Sequence, residues 1–84
     1  SFNRKPEEAI RWALHQLYLQ QYAYFEEKGR YIDNIKLLTI PAVDIPGYQW
    51  QPELQNTRSL FEISAKGPDG RYWHVIQDGR VWKE

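Results

Sequence analysis

The chain has 84 residues, the length of one small domain, and we expect residues 1–84 to form a single domain. It contains no cysteine, which excludes a disulfide and a thiolate zinc site. Its 11 basic and 11 acidic residues balance and form no basic stripe, which argues against nucleic acid and anionic membrane surfaces as partners.

The first predicted element is a helix over residues 6–28. Pro6 suits the first helical position, where a missing N–H costs nothing. Lys28 and Gly29 supply a C-terminal cation and a residue that adopts a left-handed cap. At about 100° per residue, one arc of this helix gathers the predicted core residues Ile10, Ala13, Leu14, Leu17, Tyr24 and Phe25.

A second apolar stripe lies on the other side of the predicted helix. Trp12, Leu19 and Ala23 fall nearly opposite the core arc. A helix packed on one sheet needs only one apolar stripe, so the second one predicts a docking surface for a partner.

The middle of the chain combines a short helix with a long loop. Asp33 is the predicted cap of a short second helix that runs through Leu38. The stretch 41–52 contains three prolines and a glycine, which predicts an ordered loop crossing the molecule, anchored by Tyr48 and Trp50.

From residue 60 onward the apolar period changes to two. This alternation predicts strands over 60–66, 71–77 and 80–83, with turns at 67–70 and 78–79. A two-residue loop at Asp78-Gly79 places Ile76 opposite Val81. The order of elements predicts an α+β fold in which a long N-terminal helix packs on a three-stranded antiparallel sheet.

The pairing of the first two predicted strands has two solutions. A four-residue loop puts the apolar side of strand 60–66 with Tyr72 and Ile76, whereas a bulge puts it with Trp73 and Trp82. Either choice leaves large apolar groups on both sheet faces, and one helix covers only one face. We therefore expect a sheet surface that faces the loop, a partner or a ligand.

No motif for catalysis or metal binding is present. His15 and His74 are not spaced as metal ligands, no serine lies in a nucleophile elbow, and no glycine-rich phosphate loop occurs. We predict no catalytic residue, no metal site and no cofactor. A small enzyme stays a third hypothesis, and it requires a pocket that gathers His74, Glu62 or Asp78.

The aromatic residues form the most informative set for function. Four Trp, six Tyr and three Phe are many for this length, and in a domain without disulfides most of them are expected to fill the core. The functional interpretation is a flat aromatic surface for a sugar, with polar neighbours that bond its hydroxyls. The residues predicted to form this ligand-binding surface are Trp50, Trp73, Trp82, Gln77 and Arg80.

Three segments carry a family resemblance. Residues Pro6–Leu14, Tyr22–Tyr31 (YAYFEEKGRY) and Tyr72–Trp82 (YWHVIQDGRVW) resemble the region that follows the sugar-binding β-sandwich in bacterial family 9-like carbohydrate-binding proteins. The sandwich itself is absent, so none of its sugar contacts transfers. The resemblance implies a periplasmic or extracellular location and a link to polysaccharide use.

A second likeness is to the soluble heads of type IV pilins and pseudopilins. There too, a long helix ends in an aromatic stretch and a Gly-Arg-Tyr turn before a small antiparallel sheet, as in YAYFEEKGRY here. The apolar membrane half of the pilin helix and the usual cysteine pair are missing. The likeness implies a pilin-head-like layout.

These observations together predict a non-catalytic accessory domain of an exported carbohydrate-binding or polysaccharide-utilisation protein. We expect the chain to be a piece of that larger protein. The predicted partners are a neighbouring domain, through Trp12, Leu19 and Ala23, and a carbohydrate, through weak contact with exposed aromatics. A pilin-like assembly subunit is the alternative.

Overall fold

One long helix and a four-stranded antiparallel sheet make up the fold, in a computed structural model that describes residues 5–57 and 59–84. The strands follow one another in the order β1-β2-β3-β4. The predicted α+β class is confirmed, and the predicted number of strands is one too low. The elements are helix α1 (Pro6–Lys28), a 3₁₀ helix (Ile35–Leu37), and strands β1 (Glu53–Asn56), β2 (Phe61–Lys66), β3 (Tyr72–Ile76) and β4 (Val81–Lys83).

Helix α1 begins and ends where the sequence predicts. Pro6 is its first residue, and Gly29 ends it in the left-handed conformation with φ 73°, donating its N–H to the Phe25 carbonyl at 2.8 Å. No helix within residues 5–57 and 59–84 is long and apolar enough to cross a membrane. The buried side chains of α1 are Ile10, Ala13, Leu14, Leu17 and Gln21.

The C-terminal end of the predicted core arc is less buried than expected. Tyr24 is half-buried and Phe25 is exposed. Phe25 stacks on Tyr31 with ring centroids 4.6 Å apart, and Tyr31 meets Phe61 edge-on at 4.8 Å. The rings of Phe25 and Tyr31 therefore cover one end of the core and do not lie inside it.

Two adjacent glutamines fasten the following segment to α1. The Gln21 side chain accepts from the Ile32 N–H at 2.6 Å and donates to the Ile32 carbonyl at 3.0 Å. Gln20 makes the same pair of bonds with Thr39, at 2.8 and 2.7 Å. Gln21 is completely buried, although it is polar and is not among the predicted core residues. Its two bonds hold the segment around Ile32 against the core.

The short helix starts one residue later than predicted. Asn34, not Asp33, is its cap, and the Asn34 side chain accepts from the Lys36 N–H at 3.0 Å. The element is one turn of 3₁₀ helix that ends at Leu37. Both residue types cap well, so sequence alone does not choose between neighbours.

The proline-containing loop packs on the core through its two predicted anchors. Trp50 donates its indole N–H to the Pro41 carbonyl at 2.9 Å, and the Tyr48 hydroxyl bonds the Lys66 carbonyl. Both rings are half-buried against the core cluster. Burial raises the pKa of Tyr48 above its ordinary value.

The unpredicted strand is β1, which pairs with β2 along its whole length. Leu54 lies opposite Ile63, and it is the one apolar residue of β1. Three polar residues out of four give no alternating pattern, so periodicity does not reveal this edge strand.

Strands β2 and β3 adopt the second of the two predicted registers. Lys66 lies opposite Tyr72, so five residues, 67–71, form the connection. The apolar side of β2 therefore shares a face with Trp73 and Val75, and all of these residues are buried.

The register of the β3–β4 hairpin differs from the prediction by one residue. Val75, not Ile76, lies opposite Val81. Three residues, 77–79, form the loop, with Gly79 at φ 84°. A three-residue hairpin that ends in a left-handed glycine is a common alternative to the two-residue turn. The change moves Trp82 to the sheet face away from α1.

Candidate binding surfaces

Trp73 belongs to the core, which contradicts its predicted place on a ligand surface. Its side chain is 2% exposed beneath α1. The Arg11 guanidinium lies 5.3 Å from the ring centroid and the Lys83 ammonium 5.7 Å, so two cations cover the indole. The β2–β3 register turns this ring inward, so it offers no face to a sugar.

Trp50 also departs from the predicted surface. Its indole N–H is bonded to Pro41 and its ring packs on the core cluster, as described above. This residue fixes the loop and is not brought together with Trp82. Trp50 and Trp73 therefore follow the expectation that most aromatic residues of this chain pack in or against the core.

Trp82, Arg80 and Gln77 remain together on the β3–β4 hairpin. The Trp82 ring stacks on His74 with centroids 5.0 Å apart and an angle of 22° between the planes. The Arg80 guanidinium lies 5.3 Å from the centroid of the same ring. Gln77 is half-buried in the adjacent turn. The predicted ligand surface is thus reduced to one Trp and its polar neighbours.

Trp82 lies on the sheet face away from α1, which we call the open sheet face. It is formed by side chains that alternate with the core residues along each strand: Glu62, Ser64, Tyr72, His74, Ile76, Trp82 and Glu84. All of them are half-buried or exposed. The face is mixed in polarity, with Tyr72 45% exposed beside three titratable groups.

His74 is held at the centre of the open sheet face by two carboxylates. Its Nδ1 lies 2.6 Å from a Glu62 oxygen and its Nε2 lies 2.7 Å from a Glu84 oxygen. Both ring nitrogens donate only when the imidazole carries both protons. Sequence reasoning missed this group because the three residues are far apart in the chain and only the register brings them together.

The His74 contacts bear on the enzyme hypothesis. The structure joins His74 to Glu62 but leaves Asp78 in the hairpin turn, where its carboxylate accepts from the Arg80 N–H at 2.9 Å. Both ring nitrogens are in contact with carboxylates, so a substrate reaches either nitrogen only where Glu62 or Glu84 moves away. Across the described part of the chain, no cluster of three or more His, Asp or Glu residues is arranged to hold a metal ion.

The predicted docking residues are all exposed on the side of α1 opposite the core. We call Trp12, Leu19 and Ala23 the outer helix face. Trp12 is 42% exposed and Leu19 is 43% exposed, two turns apart. The second apolar stripe of the sequence therefore lies at the surface of the domain.

A groove runs between α1 and the edge of β4, and no pattern in the sequence indicates it. Its volume is about 410 Å³, and we call it the β4 groove. The helix supplies one wall and the hairpin the other, so it exists only once the helix has packed on the sheet. Its lining residues are Glu8, Arg11, Trp12, His15, Gly79 and Val81.

A charged cluster closes the end of the molecule beside the β4 groove. The Lys83 ammonium lies 2.6 Å from a Glu7 oxygen and 3.2 Å from an Asp69 oxygen. The hydrogen bond to Glu7 raises the pKa of Lys83 most, and the bond to Asp69 raises it further. The hydrogen bond from the Arg71 N–H is the main cause that lowers the pKa of Asp69, and the bond from Lys83 lowers it further. The cluster ties the start of α1 to the β2–β3 turn and to β4.

Comparison with protein-family models, with curated proteins and with solved structures finds no match to this chain.

Proposed function

We propose that this chain is a non-catalytic accessory domain that docks against a neighbouring domain of an exported carbohydrate-binding or polysaccharide-utilisation protein. The outer helix face is the observation that supports docking. The resemblance of three segments to family 9-like carbohydrate-binding proteins supplies the context, including a periplasmic or extracellular location.

The outer helix face lies outside the core of the domain. The core is closed by the opposite side of α1, where Ile10, Leu14 and Leu17 are completely buried. Leu19 and Trp12 nevertheless form an apolar stripe two turns long on the solvent side. Apolar stripes of this spacing are how a helix packs against another structural layer.

Substitutions on the outer helix face test the docking proposal. Leu19→Ser and Ala23→Lys are made in the parent protein and in the 84-residue chain alone, with Asp44→Lys in the exposed loop as the control. In the chain alone, each variant is expected to change the free energy of unfolding by no more than about 0.5 kcal/mol. In the parent, the two helix variants are expected to lower the unfolding temperature of this domain to that of the chain alone.

The proposal fails if the helix variants leave the parent's unfolding unchanged, or if the Asp44→Lys control has the same effect as they do. Hydrogen exchange on the same proteins identifies which part of α1 the parent protects.

Weak sugar contact is the second mode of action, and the open sheet face is its candidate site. Trp82 offers an indole beside Arg80 and Gln77, and exposed Tyr72 lies on the same face. Oligosaccharides are titrated while the indole and amide signals of the hairpin are recorded by NMR. Shifts at Trp82 support sugar contact, and the absence of shifts at millimolar sugar removes it and leaves docking.

A pilin-like assembly subunit is the alternative function. The observation that favours it is the layout, in which one N-terminal helix lies across an antiparallel sheet of sequential strands. A hydrophobic helix encoded directly upstream of Ser1 supports this alternative, and a folded sugar-binding domain there supports the accessory domain.

A further inference from the structure

We propose that the β4 groove binds an extended, acidic segment of a partner polypeptide, which adds to the sheet as a fifth strand alongside β4. The site is distinct from the outer helix face, apart from Trp12, which borders both. The inference does not depend on the proposed function, and Leu19 and Ala23 lie outside the groove.

The backbone of β4 presents hydrogen-bonding groups toward the groove. Arg80 accepts from Ile76 and Glu84 donates to Tyr72, so the even-numbered residues of this strand pair with β3. Backbone groups alternate in direction along an antiparallel strand. The N–H and C=O groups of Val81 and Lys83 therefore point away from β3.

The outer edge of β4 is available within the described part of the chain. Strand β4 ends the order β1-β2-β3-β4, and none of residues 5–57 and 59–84 forms a strand on its far side. One side chain reaches this edge, since Arg11 Nη1 lies 3.5 Å from the Val81 carbonyl. The position of Arg11 Nη1 marks where an N–H of an added strand would donate to the Val81 carbonyl. A strand that bonds to both Val81 and Lys83 gains up to four main-chain hydrogen bonds.

The helix wall provides contacts for the side chains of the added strand. Trp12 and His15 line the groove, and His15 continues into a row of rings with Tyr18, at 5.7 Å, and Tyr22, at 6.2 Å from Tyr18. Tyr22 is 52% exposed. Because side chains alternate along a strand, every second residue of the segment faces the helix wall, and an apolar residue suits the position beside Trp12.

Glu8 and Arg11 are the two charged residues that line the β4 groove, and of these Arg11 is the one in contact with the edge of β4. Among the described residues Arg11 forms no ion pair, whereas nearby Lys83 already has Glu7 and Asp69. Arg11 lies beside Val81, in the middle of the available edge. A carboxylate there pairs with the guanidinium, which the long bond to Val81 leaves able to move.

A single extended segment fits this edge better than a second copy of the chain. In a second copy, β4 is itself flanked by the α1 residues Arg11 and Trp12, so edge-to-edge pairing brings two helix walls together at the joint. A strand without such a wall needs only the spacing of about 4.8 Å between neighbouring strands.

The test uses a capped six-residue peptide in which valine alternates with glutamate and threonine, titrated into the 84-residue chain and followed by NMR. The expected result is a set of shifts at the amides of Val81 and Lys83 and at the Trp12 indole. A matched peptide with glutamine for glutamate is expected to bind about two- to fivefold more weakly. Arg11→Gln is expected to remove that difference.

Val81→Pro removes an outward N–H that the sheet does not use, and it is expected to abolish binding while the β3 amides keep their dispersion. Leu19→Ser is expected to leave binding unchanged. The proposal is overturned by the absence of shifts at millimolar peptide, by shifts confined to another surface, or by concentration-dependent shifts at β4 without peptide, which identify a second copy as the occupant. Should Val81→Pro not fold, the loss of peptide preference in Arg11→Gln decides the question.

Discussion

Replacing Gln21 with methionine isolates the energy of one buried pair of hydrogen bonds. Methionine has nearly the shape of glutamine, so the change creates no large cavity. It removes both bonds to Ile32, whose N–H and carbonyl then have no partner where that residue is only 6% exposed. Only the polar pairing is lost.

The expected cost follows from the number of groups left unpaired. An unsatisfied buried backbone group costs about 1–3 kcal/mol, and two of them bracket the loss at about 2–6 kcal/mol. Ile32 lies in a connection between helices and is able to shift toward water, so we expect the lower half, about 2–4 kcal/mol. A chain of this size has a total stability of about 4–13 kcal/mol, so the variant is severely destabilised but measurable.

Gln20→Met is the matched control. Gln20 makes the same two bonds, with Thr39, on the same helix, but these bonds are exposed and water replaces them. We expect a cost of about 1 kcal/mol or less for this variant. The prediction is therefore a difference of at least about 1 kcal/mol between two chemically identical substitutions at adjacent positions.

Urea unfolding followed by tryptophan fluorescence measures both variants, with linear extrapolation to water and a comparison of slopes. Unchanged slopes assign the effect to the folded state. Equal costs for Gln20→Met and Gln21→Met, or a cost of less than about 0.5 kcal/mol for Gln21→Met, would refute the reasoning that burial makes this pair valuable.

Three further predictions concern turns and pH. Gly29→Ala should cost about 1 kcal/mol in the free energy of unfolding, because φ is 73° and a Cβ there meets no other atom; an unchanged unfolding midpoint contradicts this strain. Gly79→Ala should cost more, about 2–4 kcal/mol, because its Cβ also lies 3.0 Å from the Tyr18 ring; the same unfolding experiment shows whether the two glycines differ. Asp69→Asn should reduce stability at neutral pH, because the Arg71 N–H holds the pKa of Asp69 below its usual 3.8, and a depressed pKa stabilises the fold above the unfolded value. The difference from wild type should shrink as the pH falls below 3.8, and a constant difference down to pH 2 argues against this account.

The sequence predicts elements whose pattern is strong and local. Helix α1 has a proline start, a glycine stop and an apolar period, and its bounds are confirmed. The outer helix face is likewise exposed as predicted, because a surplus stripe follows from geometry along one helix. Gln21 occupies the core arc between Leu17 and Phe25, so a polar residue on an apolar face was the available signal for a buried clasp.

The errors occur where pairing between strands decides the outcome. The hairpin loop contains Asp78-Gly79, which suits both a two-residue and a three-residue turn, and a change of one residue reverses the face of Trp82. The abundance of aromatic residues suggests a ligand surface that includes Trp73, but the register of the strands buries this side chain beneath α1. The contact between Glu62 and His74 depends on the same strand pairing. The β4 groove depends in addition on the packing of α1 against the sheet.

The ion pair between Glu7 and Lys83 has a consequence for engineering. It places the start of α1 beside the end of β4, so the two ends of the described chain meet at one corner of the molecule. A short flexible linker is therefore enough to connect them, and new termini opened near exposed Asp44 interrupt no helix or strand. The domain is thus suited to circular permutation, and to insertion into a surface loop of another protein.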